Sequence, residues 1–149
     1  MLKRAWIVGL AGLLAGWASA SEQAVKMKDL PAPVQKTVQE QTRGAELKGL
    51  SKEVEKGQTY YEAETKVNGK SRDILIDPSG AVVEVEEQVD LDSLPAPALA
   101  AIERYAGSGK ILLVESVTKG GAVSYEATVS KGGKKSEVAV SAGGVIRKD

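Results

Sequence analysis

Two periods alternate along the chain. From Pro33 onward Val34 and Val38 lie one helical turn apart, and from Pro97 onward Ala98, Ile102 and Tyr105 follow the i, i+4, i+7 spacing of one buried helix face. Proline suits such a start, because the first-turn N–H groups have no helical acceptor anyway. Asp29 and Ser93, just upstream, are candidate N-caps. After each helix the period drops to 2. Four strands are expected after the first, over 46–55, 58–67, 71–77 and 81–87. The second is the plainest: Tyr61, Ala63, Thr65 and Val67 share one side, and Tyr60, Glu62, Glu64 and Lys66 the other. Asn68-Gly69 and Gly132-Gly133 supply the positive φ of hairpin turns, and Asp77-Pro78-Ser79-Gly80 has proline pre-set at its second position.

The pattern is written twice. Leu30-Pro31-Ala32-Pro33 recurs as Leu94-Pro95-Ala96-Pro97, Tyr61-Glu62-Ala63 as Tyr125-Glu126-Ala127, and Gly69-Lys70 as Gly133-Lys134, all at an offset of 64. Gly57 matches Gly121 and Gly80 matches Gly144, so 11 of the 56 positions in 30–85 and 94–149 are identical without a gap. The period exceeds the usual solenoid range, which points to duplication of a small α+β unit. A unit of this size is marginal alone, giving two copies a reason to pack together. The expected organisation is a signal segment over 1–20, a first module over 21–89 and a second over 90–149.

Residues 1–20 carry the layout of a secretory signal: Lys3 and Arg4, an apolar run from Ala5 to Trp17, then Ala18-Ser19-Ala20. The run is shorter than the roughly 20 residues of a membrane-spanning helix, so no stable membrane insertion is expected after cleavage. Cleavage removes both tryptophans, Trp6 and Trp17, and leaves Tyr60, Tyr61, Tyr105 and Tyr125 as the aromatic set. The chain has 20 basic and 20 acidic residues, no His and no Cys. Balanced charge argues against nucleic acid. Without His or Cys there is no Ser-His-Asp or Cys-His nucleophile, no imidazole or thiolate zinc site and no disulfide. No catalytic residue, cofactor or metal site is expected, and the oligomeric state is not readable.

Asp29-Leu30-Pro31 ahead of a helix, Tyr60-Tyr61-Glu62-Ala63 in a strand, and Ile74-Leu75-Ile76-Asp77-Pro78-Ser79-Gly80 ahead of another resemble the PepSY-like group, secreted proteins also described as β-lactamase-inhibitor-like. Ser93-Leu94-Pro95, Ser124-Tyr125-Glu126-Ala127 and Val138-Ala139-Val140-Ser141-Ala142-Gly143-Gly144 repeat the likeness. The second set lacks the turn aspartate, and Phe is missing throughout. The resemblance implies an α+β fold of two tandem modules, each a short helix packed on an antiparallel four-stranded sheet. It also implies a non-catalytic binding or inhibitory role, periplasmic or secreted, toward a protein or peptide partner in the bacterial envelope.

Strand parity places Tyr60, Glu62 and Glu64, and in the second copy Glu126 and Thr128, on polar sides facing solvent, as candidate partner-binding residues. Two carboxylates on one solvated side lack the burial that paired acid–base chemistry needs. The acidic junction of Glu84, Glu86, Glu87, Asp90 and Asp92 suggests an alternative, an envelope structural or stress protein binding a cation or polymer weakly. It lacks the glycine and distal glutamate of a calcium loop. Lys131, Lys134 and Lys135 sit at a hairpin turn, where lysines keep sheets soluble, rather than in a phosphate loop.

Overall fold

The computed structural model describes residues 21–147, so the signal segment over 1–20 lies outside the described residues. In chain order the elements are β1 (Ser21–Ala24), α1 (Ala32–Gln41), β2 (Glu46–Glu55), β3 (Gln58–Val67), β4 (Lys70–Ile76), β5 (Val82–Gln88), α2 (Ala96–Ala106), β6 (Lys110–Lys119), β7 (Ala122–Lys131), β8 (Lys134–Ser141) and β9 (Ile146–Arg147). Short 3₁₀ turns at Met27–Asp29 and Leu91–Ser93 precede the two helices.

The expected pair of tandem modules, each a helix on a four-stranded sheet, is not what forms. All nine strands belong to one sheet whose order follows the chain, β1 to β9. The last strand of the first stretch does not end a sheet: β5 pairs antiparallel with β6, Glu84 opposite Lys119 and Glu86 opposite Val117. A free strand edge leaves backbone donors and acceptors unpaired, and continuing the ladder satisfies them. Periodicity reports which side of a strand is apolar, but not what pairs with its edge. The strand β1, which lies ahead of the repeated segment, adds an edge on β2.

By compactness the chain forms two units, 21–89 with 115–123, and 90–114 with 124–147. In the first, Leu30, Val34 and Val38 cluster with Ala63, Ile74 and Ile76, while Val25, Met27, Leu50, Tyr61 and Val85 pack at the margin. Arg72 ties the end of α1 to the sheet, donating to Gln41 O at 3.2 Å and to Gln41 Oε1 at 3.1 Å. In the second, α2 buries Ala98, Ala101, Ile102 and Ala106 and lies against β8. Tyr105, expected on that buried face, is exposed, and its hydroxyl donates to Glu137 O at 3.3 Å. The buried stripe runs through alanines instead.

Pro31 and Pro95 take the N-cap positions, and neither helix has a side-chain cap. Asp29 and Ser93 fall inside the 3₁₀ turns; Ser93 Oγ donates to Asp90 O at 2.6 Å. Gly80 and Gly144 repeat for a reason. Both have positive φ, and a Cβ there would collide with the carbonyl oxygen of Pro33 or Pro97. Only a residue without Cβ lets the turn rest on the first helical turn. Among the described residues no helix is long and apolar enough to cross a membrane.

Candidate functional site

The first unit concentrates carboxylates on the sheet side turned away from α1. Residues directly opposite across a ladder share a side. Glu22 faces Glu53, which faces Tyr60; Glu62 is opposite Leu75, and Leu75 opposite Glu84; Glu64 is opposite Asp73, and Asp73 opposite Glu86. The parity expected for Tyr60, Glu62 and Glu64 therefore holds, but the expected exposure does not. Glu62 is only 5% exposed, and Asp73, Glu84 and Glu86 are buried as well. Tyr60 is half-buried, its hydroxyl donating to Gln58 Oε1 at 2.9 Å. Glu64 is also half-buried. Strand alternation was sufficient to assign the side; burial depends on neighbours one and two strands away, which only the register supplies.

Such crowding has an electrostatic cost. Burial pushes the Glu53 carboxyl above the usual glutamate range, against a side-chain hydrogen bond with Glu62 that lowers it, and repulsion from Glu22, Glu55 and Glu84 raises it further. A hydrogen bond between two carboxyls needs one proton between them. Part of the relief comes from Lys119, whose Nζ lies 2.9 Å from Glu84 Oε2, and part from the Thr65 N–H, which donates to Asp73 Oδ1 at 3.4 Å. The hydrogen bond with Glu84 raises the Lys119 pKa above its ordinary value.

The tightest convergence is Glu22, Glu62 and Glu64, which offer one carboxylate oxygen each, all within 4.8 Å of one another. Two small residues of β2 make it possible. Glu62 is opposite Ser51 and Glu64 opposite Gly49, so the strand between β1 and β3 presents little bulk. A Cβ at Gly49 would stand 3.4 Å from the Glu64 carboxylate. Ser51 Oγ is buried and has no hydrogen-bond partner among the described residues. Sequence reasoning missed Glu22, Ser51 and Glu53. Two small residues alternating along a strand were the available signal for Ser51; β1 is too short to show a period.

Glu126 and Thr128 belong to the other unit, both half-buried, with Glu126 opposite Ala139 and Thr128 opposite Glu137. The acidic junction is not one cluster. Glu84 and Glu86 point to the carboxylate-rich side, whereas Glu87 alternates to the other and pairs with Arg72 Nε at 3.1 Å. Asp92 lies in a 3₁₀ turn, with Asp90 just before it. Lys131, Lys134 and Lys135 are exposed around the turn between β7 and β8.

No protein-family model matches the sequence, and neither does any curated protein. Solved structures do share the fold. One, described as periplasmic, comes from Bacteroides eggerthii, with a TM-score of 0.65 and 20% identity over 78% of this chain and 85% of that one. A DUF2874 family protein from Bacteroides ovatus matches with a TM-score of 0.61 and 21% identity, over 78% and 84% of the two chains. A BLIP-like protein from Bacteroides fragilis matches with a TM-score of 0.57 and 19% identity, over 79% and 83%. At these identities the likeness is one of fold.

Proposed function

We propose that the chain is a non-catalytic, periplasmic or secreted binding module whose carboxylate-rich sheet side in the first unit receives a basic segment of a protein or peptide partner. The observation that carries this is the clustering of Glu22, Glu53, Glu62, Glu64, Asp73, Glu84 and Glu86 on one side of β1 to β5. Folding alone does not call for it, since crowded like charges destabilise the compact state. Complementary charge from a partner would offset the repulsion and speed encounter. Tyr60, at the margin of the same side, supplies an aromatic contact. Glu126 and Thr128 would contribute a weaker determinant, with a single carboxylate between them.

The secretory layout of residues 1–20 and the fold shared with a protein described as periplasmic support the location. The fold shared with a BLIP-like protein supports a β-lactamase-inhibitor-like assignment and a binding role over a catalytic one. A fold does not carry its partner with it, so the test addresses the site. The protein, immobilised, is challenged with periplasmic extract over a salt series. Retention of a partner should fall as salt screens the exposed charges. Tyr60→Ala/Glu62→Gln/Glu64→Gln should lower retention with little change in melting temperature, and Glu126→Gln/Thr128→Ala should lower it less. Retention indifferent to both the salt and the triple substitution, with an unchanged melt, would remove the acidic side from the function.

A further inference from the structure

We propose that Glu22, Glu62 and Glu64, together with the Ser51 hydroxyl, form a binding site for a hard divalent cation of the calcium class. The proposal stands apart from the partner reading and concerns a narrower place on the same sheet side. Three carboxylate oxygens lie within 4.8 Å of one another. Calcium–oxygen distances are about 2.3–2.6 Å, so three oxygens about 4–4.5 Å apart can all touch one ion, and a small movement of the exposed Glu22 side chain would close the remainder. Oxygen-only donors select hard cations over zinc or copper, which favour nitrogen and sulfur.

The second observation is independent of the charge. Ser51 is 4% exposed and its Oγ has no hydrogen-bond partner among the described residues. A buried hydroxyl left unpaired costs free energy, and native structures rarely tolerate one without an occupant nearby. Ser51 is the ladder partner of Glu62 on one side and of Ala24, two residues from Glu22, on the other. Its side chain therefore rises on the carboxylate side between the strands that bear the glutamates. A hydroxyl oxygen has lone pairs for a cation. Gly49, the ladder partner of Glu64, keeps the space beside Ser51 free of side chain. The nearby ammonium of Lys119 is engaged by Glu84, and Lys66 stands opposite Glu46.

Protein stripped with a chelator and then dialysed free of it is titrated with CaCl₂, MgCl₂ or MnCl₂, by calorimetry and by thermal melting. KCl at matched ionic strength serves as the control. Titration extends to about 10 mM, above the roughly 0.1–1 mM range of extracellular calcium modules. One saturable site is expected, with a melting temperature that climbs with divalent concentration and not with KCl. Glu22→Gln, at an exposed position, and Glu64→Gln, at a half-buried one, should each weaken binding at least about tenfold by removing a charge in contact with the ion. Ser51→Ala should weaken it several-fold while leaving the metal-free melt unchanged or higher, since it deletes an unsatisfied group. Glu103→Gln, on the exposed side of α2, should change nothing. No saturable response, or one that Glu22→Gln and Glu64→Gln leave intact, would overturn the site. So would unaltered affinity in Ser51→Ala, because a buried water in place of a cation satisfies the hydroxyl without any divalent dependence. These titrations use the protein and salts alone, so their failure leaves the partner reading standing.

Discussion

The strands β3 and β7 share Tyr-Glu-Ala at the same places, yet their polar sides have gone different ways. Along β3 that side reads Tyr60, Glu62, Glu64; along β7 it reads Ser124, Glu126, Thr128. At the offset of 64, Gly49 and Ser51 become Leu113 and Glu115, and Glu53 becomes Val117. The small residues that open space for converging carboxylates in the first unit therefore have bulky counterparts. On the apolar side the correspondence is close: Ala63 with Ala127, Ile74 with Val138, Ile76 with Val140, all buried. Apart from Glu62, which recurs as Glu126, what recurs serves packing and turns, and what does not recur carries the unusual chemistry. Identity between the two stretches thus marks chiefly the residues that hold the fold, and the candidate site is set by the differences at Gly49, Ser51, Glu53 and Glu64 around the shared glutamate.

Truncation on the apolar side should have the largest effect and should strike both stretches. Ile76→Ala removes a fully buried side chain and should cost about 2–5 kcal/mol. Val140→Ala, at the corresponding place and also fully buried, should cost about 1 kcal/mol less, having one methylene less to lose. Denaturant melts followed by circular dichroism measure both. A costly Ile76→Ala beside a neutral Val140→Ala would break the correspondence and confine the tightly packed core to the first unit.

The two glycine turns come next. Gly80→Ala and Gly144→Ala each force a side chain into positive φ and against a proline carbonyl. Strain of this kind costs of order 1–3 kcal/mol, before any displacement of the helix start. Thr37 Oγ1 donates to Gly80 O at 2.6 Å, a tie the first turn would also loosen. Matching losses in melting temperature would show that both turns brace their helices. A tolerated Gly144→Ala would show that α2 shifts where α1 cannot.

The pattern of apolar positions located these elements well for a physical reason: alternation is a property of a strand and its two sides. The expected strands over 46–55 and 58–67 coincide with β2 and β3, and β4 and β5 lie one residue from their expected places. Tyr61 and Glu62 were assigned to the correct sides on the same basis. The continuous sheet was not legible, because the pairing of β5 with β6 spans a helix and its connections. Burial of Glu62 and convergence with Glu22 were hidden for a related reason. They depend on a strand two positions across the sheet, and no local spacing encodes that. Tyr105 misled because its helical spacing suited burial, while the alanines of α2 already filled the face.

The smallest expected effect separates the two turns by their chemistry. Asp77 Oδ1 accepts hydrogen bonds from the backbone N–H of Ser79 at 2.8 Å and of Ala81 at 3.1 Å, and from the Ser79 hydroxyl. The Ser79 side-chain bond is the main reason the Asp77 pKa lies below the ordinary value of 3.8, with the backbone donors adding to it. In the corresponding turn Ser141 Oγ accepts from Val145 N–H at 3.1 Å and has no charge to titrate. A carboxyl whose pKa is lower in the folded state binds fewer protons there than in the unfolded chain. Its stabilisation is therefore present above the unfolded value and lost as pH falls through the folded one. Asp77→Asn should lower the melting temperature slightly at pH 7, and the gap to the parent should close as pH drops through and below 3.8. Ser141→Ala should give a small loss that does not vary with pH. Because Asp77 is near the surface, its charge is screened and the effect should shrink in high salt. An Asp77→Asn gap that persists unchanged in acid would mean that turn geometry alone, and not the charge, distinguishes the first turn from the second.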